Sequence, residues 1–78
     1  MPSTKHFIIL PDGTQSSVIR RTTADSQWIR YDFSPTFVIR IDPKDPSHVR
    51  FASMDFLTSD DLNFAIQTAQ SIERTIRC

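Results

Sequence analysis

Arg30, Arg40 and Arg50 stand ten residues apart on three successive apolar segments. A guanidinium is a planar fork of donors that suits carboxylates and phosphates. If the three segments are antiparallel strands in the register their apolar residues favour, the forks form one row across a sheet. Like charges directly opposite one another cost a few tenths to about 1 kcal/mol. Such a row therefore calls for flanking acids or an anionic partner.

Other residues with chemical potential are sparse. Nucleophilic catalysis needs a nucleophile, a base and an orienting group within reach of one another. The candidates are the lone Cys78 and ordinary Ser and Thr residues, while His6 and His48 lie far from any signature residue. Both histidines read as structural or surface residues. There is no Cys pair, no His-x-x-x-His and no Asp-rich calcium loop. Asp42, Asp45 and His48 could converge on an ion, yet Asp beside Pro is ordinary turn chemistry. A single glycine, Gly13, excludes a phosphate-cradling Gly-rich loop. Asp60 and Asp61 look like an acid pair but are explained by the start of a helix. We therefore expect no enzymatic activity, no metal and no cofactor.

The composition sets further bounds. The 78 residues carry nine basic and nine acidic side chains, so bulk charge favours neither nucleic-acid binding nor its mimicry. Seven of the nine cations are Arg and eight of the nine acids are Asp. The Asp residues lie mostly in turn-like places (Asp12, Asp25, Asp42, Asp45, Asp60, Asp61), while several Arg lie inside apolar runs. One cysteine excludes an internal disulfide framework and suits a reducing compartment. The N-terminus lacks the pattern of a signal peptide, and the run Phe7–Leu10 is far too short to span a bilayer. The expectation is a cytoplasmic chain with no membrane partner, folded as one domain over residues 1–78.

The elements that would position the arginines follow from periodicity. Lys5–Leu10 is an Ile- and Phe-containing run that reads as a buried strand. Pro11-Asp12-Gly13 then supplies a preset φ, a turn-favouring Asp and a positive-φ Gly, the chemistry of a hairpin. Gln15–Thr23 would be its partner, and Thr23-Ala24-Asp25-Ser26 a polar turn. Gln27–Phe33 alternates, with Ile29, Tyr31 and Phe33 on one face and Trp28, Arg30 and Asp32 on the other. Phe37–Ile41 alternates as well. Placing both apolar sets on one face sets Phe33 opposite Phe37 across a three-residue connection, Ser34-Pro35-Thr36, and Arg30 opposite Arg40. A two-residue turn would set Ile29 against Arg40 and split the core.

Asp42–Ser47 holds two prolines and reads as a loop. His48–Phe56 would be a fifth strand, with Ile41 opposite Val49, Ile39 opposite Phe51 and Arg40 opposite Arg50. Its parity slips before Met54 and Phe56, which implies a bulge near Ala52-Ser53 or an early end. Arg20 could extend the row, although the second strand alternates too poorly to place it.

Thr58 and Ser59 offer N-cap hydroxyls ahead of Asp60 and Asp61. Leu62, Ala65, Ile66, Ala69, Ile72 and Ile76 then recur at helical spacing, and Arg74 and Arg77 suit the C-terminal dipole. One helix of about 18 residues would cover Ile29, Tyr31, Phe33, Phe37, Ile39 and Ile41. The fold class is thus α+β: an antiparallel meander of four to five strands and a C-terminal amphipathic helix in a two-layer sandwich.

This leaves an open sheet face carrying Trp28, Arg30, Asp32, Val38, Arg40 and Arg50, with Met54 and Arg20 as further candidates. Trp and Arg are enriched at binding hot spots, and both also serve single-stranded nucleic acid. A simply solvated polar face is the competing reading. Phe64 falls about 160° from the centre of the helical stripe, taking ~100° per residue. It would pack under the Pro43–Pro46 loop, at the sheet edge, or in an interface. A small sheet with an open face and free edges also favours a homodimer.

The order of elements over roughly the last fifty residues resembles the Whirly and positive-cofactor class of single-strand-binding folds, as architecture. That resemblance implies a single-stranded nucleic-acid ligand on the sheet. Those families use a face rich in lysine and aromatic residues, whereas this chain is neutral with a row of Arg. The reading of the residues is a small non-enzymatic adaptor or regulatory module that binds a protein through the open face. Trp28, Arg30, Asp32, Arg40 and Arg50 would carry the contact, with Phe64 as a second anchor. A phage- or plasmid-encoded inhibitor of a larger complex would fit the same description. The alternative is a dimeric single-stranded nucleic-acid-binding protein using the same face.

Overall fold

The computed structural model describes residues 3–22, 27–53 and 57–77. The expectations for the 23–26 turn, for Met54 and Phe56, for the Arg77 side chain and for Cys78 lie outside the described residues. Five strands run in sequence order, β1 (Ser3–Ile9), β2 (Gln15–Arg21), β3 (Ile29–Ser34), β4 (Phe37–Asp42) and β5 (Asp45–Ser53). All neighbours are antiparallel, giving one five-stranded meander. The helix α1 (Ser59–Arg77) packs chiefly over β4 and β5. The molecule is an α+β fold of two layers.

The first hairpin forms where its turn residues ask for it. The Leu10 carbonyl accepts the Gly13 N–H at 2.9 Å, and the Leu10 N–H donates to the Thr14 carbonyl at 2.8 Å. Gly13 takes φ 88°, which a side chain would strain, although a Cβ there would meet open space. Asp12 accepts both the backbone N–H and the hydroxyl of Thr14. Those bonds hold the Asp12 carboxyl below the usual range.

The β3–β4 connection differs from the expectation. It has two residues, Pro35 and Thr36, with Ser34 opposite Phe37. A register shift between Asp32 and Ser34 takes up the odd residue, Phe33. Ile29 therefore still faces Ile41, and the core is not split. The bulge leaves Phe33 free to stack on Phe37, with ring centroids 5.6 Å apart.

The segment 42–47 is not wholly a loop. The ladder resumes at Asp42 opposite Asp45, so residues 46–48 form an irregularity inside β5. Pro46 is tolerated because β5 is an edge strand. Asp42 and Asp45 accept the N–H groups of Lys44 and Ser47, tightening the corner. Beyond it, the pairs Ile41–Val49, Arg40–Arg50 and Ile39–Phe51 stand as expected. Pairing continues unshifted to Ser53, so no bulge occurs at Ala52-Ser53.

Helix α1 is capped by Thr58, whose hydroxyl accepts the Asp61 N–H and whose carbonyl accepts the Leu62 N–H, each at 3.1 Å. Ala65 and Ala69 are buried, and their small side chains let the helix approach the sheet closely. The core joins them to Val18, Ile29, Tyr31, Phe37, Ile39 and Ile41, with Leu62, Ile66 and Ile72 at its border. Ile76, at the end of the stripe, is half-exposed. Gln70 ties the helix to the edge strand by donating to the Pro46 carbonyl at 2.9 Å.

Candidate functional site

The two faces of the sheet are set by its registers. Arg21 stands opposite Arg30, Arg30 opposite Arg40, and Arg40 opposite Arg50. The row is thus four arginines long, crossing β2 to β5 on the face away from the helix. At β1 it ends on Ser3. Arg21, not Arg20, extends it. Arg20 stands opposite Tyr31 and shares its covered face, because the inward parity of β2 is set by Val18.

Asp32 is the carboxylate that makes this row tolerable. It accepts Arg21 Nε at 2.7 Å and Arg30 Nε at 2.6 Å. Arg50 lies over the indole of Trp28, 5.0 Å from the ring centroid. Arg40, between Arg30 and Arg50, is exposed and forms no ion pair among the described residues. Among the described residues, the four arginines of the row less Asp32 leave a local charge of +3 on a chain of zero net charge.

A second cross-strand row runs beside the first: Lys5, Ile19, Asp32, Val38 and Ala52 stand in register. It sets apolar side chains next to the cations. A cleft of about 320 Å³ opens between the rows, lined by Ile19, Arg21, Arg30, Asp32, Phe33 and Pro35. Further along β1, Phe7 is 69% and Ile9 61% exposed. Lys5 Nζ lies 5.7 Å from the Phe7 ring centroid. The reading of β1 as a buried strand is therefore wrong for its outward half. β1 is an edge, and the helix leaves that side of the sheet bare.

The structure brings Trp28, Arg30, Asp32, Arg40 and Arg50 onto one face. Phe64 is not among them. It lies half-buried across the molecule, in an apolar cleft of about 380 Å³ lined also by Ile8, Leu10, Phe33, Phe37 and Leu57. Its neighbours belong to the β1 side, so it does not pack under the Pro43–Pro46 loop.

The covered face holds a polar cluster that the sequence reading missed. Glu73, the chain's only glutamate, is 2% exposed. It accepts Arg20 through two bonds, Nε to Oε2 at 3.0 Å and Nη2 to Oε1 at 3.1 Å. Tyr31 Oη donates to the same Oε2 at 2.5 Å. Glu73 holds the Arg20 guanidinium more firmly protonated than usual. Burial, then the bond to Glu73, pushes the Tyr31 phenol well above its ordinary range. A signal existed: Ala65, Ala69 and Glu73 are four apart, so Glu73 falls inside the apolar stripe. A carboxylate there needs a buried cation, and Arg20 was the unplaced one.

The remaining candidates have structural surroundings. His6 faces the helix side with Nε2 buried and without a hydrogen-bond partner. His48 is exposed, 3.6 Å from Asp45. Among the described residues no three His, Cys, Asp or Glu side chains gather as a metal site. Among the described residues no helix is long and apolar enough to cross a membrane. No protein-family model, curated protein or solved structure matches the chain.

Proposed function

We propose that this protein is a non-enzymatic adaptor or regulator that binds an acidic protein partner through its open sheet face. The observation that carries the reading is the in-register row Arg21–Arg30–Arg40–Arg50, in which Asp32 pairs Arg21 and Arg30, bordered by Ile19 and Ala52. An uncompensated Arg40 inside such a row favours an incoming anion. Interleaved apolar side chains and Arg are the composition of a protein hot spot. One feature weighs against single-stranded nucleic acid on the same face: Arg50 already covers one side of the Trp28 ring on which a base would stack.

The single cysteine supports a cytoplasmic setting. The regular, proline-free edge of β1 with Phe7 and Ile9 exposed supports pairing with a second copy. The functional test measures fluorescent single-stranded DNA and RNA binding across a salt series, with the variant Arg30→Glu/Arg40→Glu beside the wild type. Under this reading neither strand binds at physiological salt, and cross-linking captures a protein with the wild type alone. Steeply salt-dependent strand binding that the variant loses would replace it with the nucleic-acid reading.

A further inference from the structure

We infer that the arginine row receives an acidic α-helix lying across the strands, with carboxylates one turn apart on its docking side. The inference rests on the protein-partner reading and names the partner's chemistry. Adjacent strands lie ~4.8 Å apart, so three intervals carry the row from Arg21 to Arg50 over about 14 Å at the backbone. Carboxylates repeating once per helical turn advance ~5.4 Å, or about 16 Å over the same three intervals. Those on one side of an extended peptide advance ~6.8 Å, or about 20 Å. Flexible arginine side chains absorb about 2 Å over four rungs far more readily than about 6 Å. The spacing therefore selects a helix over a strand.

The charge along the row is uneven, which sets the partner's polarity pattern. Arg21 and Arg30 share Asp32, while Arg40 pairs with no carboxylate among the described residues and Arg50 has the Trp28 ring. The strongest demand for anions lies over β4 and β5. Two acids one turn apart would answer Arg40 and Arg50. Ile19 and the exposed Ala52 stand in a parallel row, one side-chain repeat or ~6.8 Å along the strands, with Val38 buried between them. That row would take the apolar residues that flank those acids. The partner is thus an amphipathic acidic helix whose apolar and acidic stripes are adjacent.

The test uses fluorescence anisotropy with four probes: a stapled 16-residue helix with Glu at i, i+4, i+7 and i+11 beside a Leu stripe; a stapled isomer of equal composition with the Glu residues spread around the helix; an unstapled peptide of alternating Glu and Val; and a 16-nucleotide oligothymidine. The patterned helix is expected to bind at least tenfold more tightly than its isomer. Arg40→Glu and the milder Arg40→Gln should each weaken it, the former at least tenfold, with thermal midpoints no lower than that of wild type. Equal binding of the isomers, or no binding of any probe at low salt, overturns the inference. A preference for the alternating peptide also overturns it while leaving the protein-partner reading standing. Arg40-dependent preference for oligothymidine overturns both.

Discussion

Arg20 and Arg21 are neighbours in sequence, yet they belong to opposite faces of the sheet and do different work. Arg20 points under the helix and meets the buried Glu73 in a two-bond pair completed by Tyr31. Arg21 points away and shares Asp32 with Arg30 at one end of an exposed row. On the covered face one cation meets one carboxylate and a phenol, and each group has a partner. On the open face, among the described residues, two of four cations share one carboxylate, Arg50 lies over an indole and Arg40 has no ion pair. The contrast separates an arrangement that serves the fold from one whose charges remain available to a partner.

The largest effect should follow from breaking the covered pair. Glu73→Ala leaves the part-buried Arg20 without its carboxylate and the buried Tyr31 without its acceptor, a defect of about 3–5 kcal/mol. For a domain this small that approaches the whole margin of stability, so urea denaturation should find it largely unfolded. The double variant Arg20→Met/Glu73→Leu removes both charges and should recover to within about 1.5 kcal/mol of wild type. A double variant as unstable as Glu73→Ala would show that the pair itself, not charge balance, holds the helix down.

Next comes Tyr31→Phe, which deletes a bond to a charged acceptor and should cost about 1.5–3 kcal/mol. It also carries a pH signature. The Tyr31 phenol has its folded pKa raised above the unfolded value. Its contribution is fully present below pH ~10 and is lost as pH rises above that, at about 1.4 kcal/mol per pH unit. Wild type should therefore lose stability between pH 10 and 11 more steeply than Tyr31→Phe, read from thermal midpoints. Parallel slopes would exclude the buried phenol as the cause. Thr58→Ala should cost about 1 kcal/mol through loss of the helix cap, without pH or salt dependence.

The smallest change in stability belongs to the open face. Asp32→Asn removes the carboxylate that pairs Arg21 and Arg30 and should cost less than about 1 kcal/mol, most of it at low ionic strength. A loss as large as that of Glu73→Ala, indifferent to salt, would erase the distinction between the faces.

How much of this was legible depended on strand position. β3, β4 and the inner part of β5 alternate cleanly, so Arg30, Arg40 and Arg50 could be placed opposite one another from parity alone. β1 and β2 break the rule that apolar residues point inward. Phe7 and Ile9 face out from an edge, while Arg20 faces in because a partner waits on the helix. Periodicity carries no information about a partner forty or more residues away, so the sequence leaves Arg20 unplaced and does not single out Arg21 as the fourth member of the row. The bulge at Phe33 escaped for a related reason: a two-residue turn and a one-residue shift leave the same Ile29–Ile41 pairing as a three-residue connection. Glu73 was the readable exception, a lone carboxylate on an apolar stripe.

The measurement that tests the separation of faces most directly is the urea midpoint of Arg40→Gln against wild type at low and high salt. A row kept for binding carries its own repulsion, so removing its central charge should raise stability by a few tenths to about 1 kcal/mol, with the gain shrinking as salt screens it. A fall in stability at low salt would contradict the account and assign Arg40 to holding the sheet together.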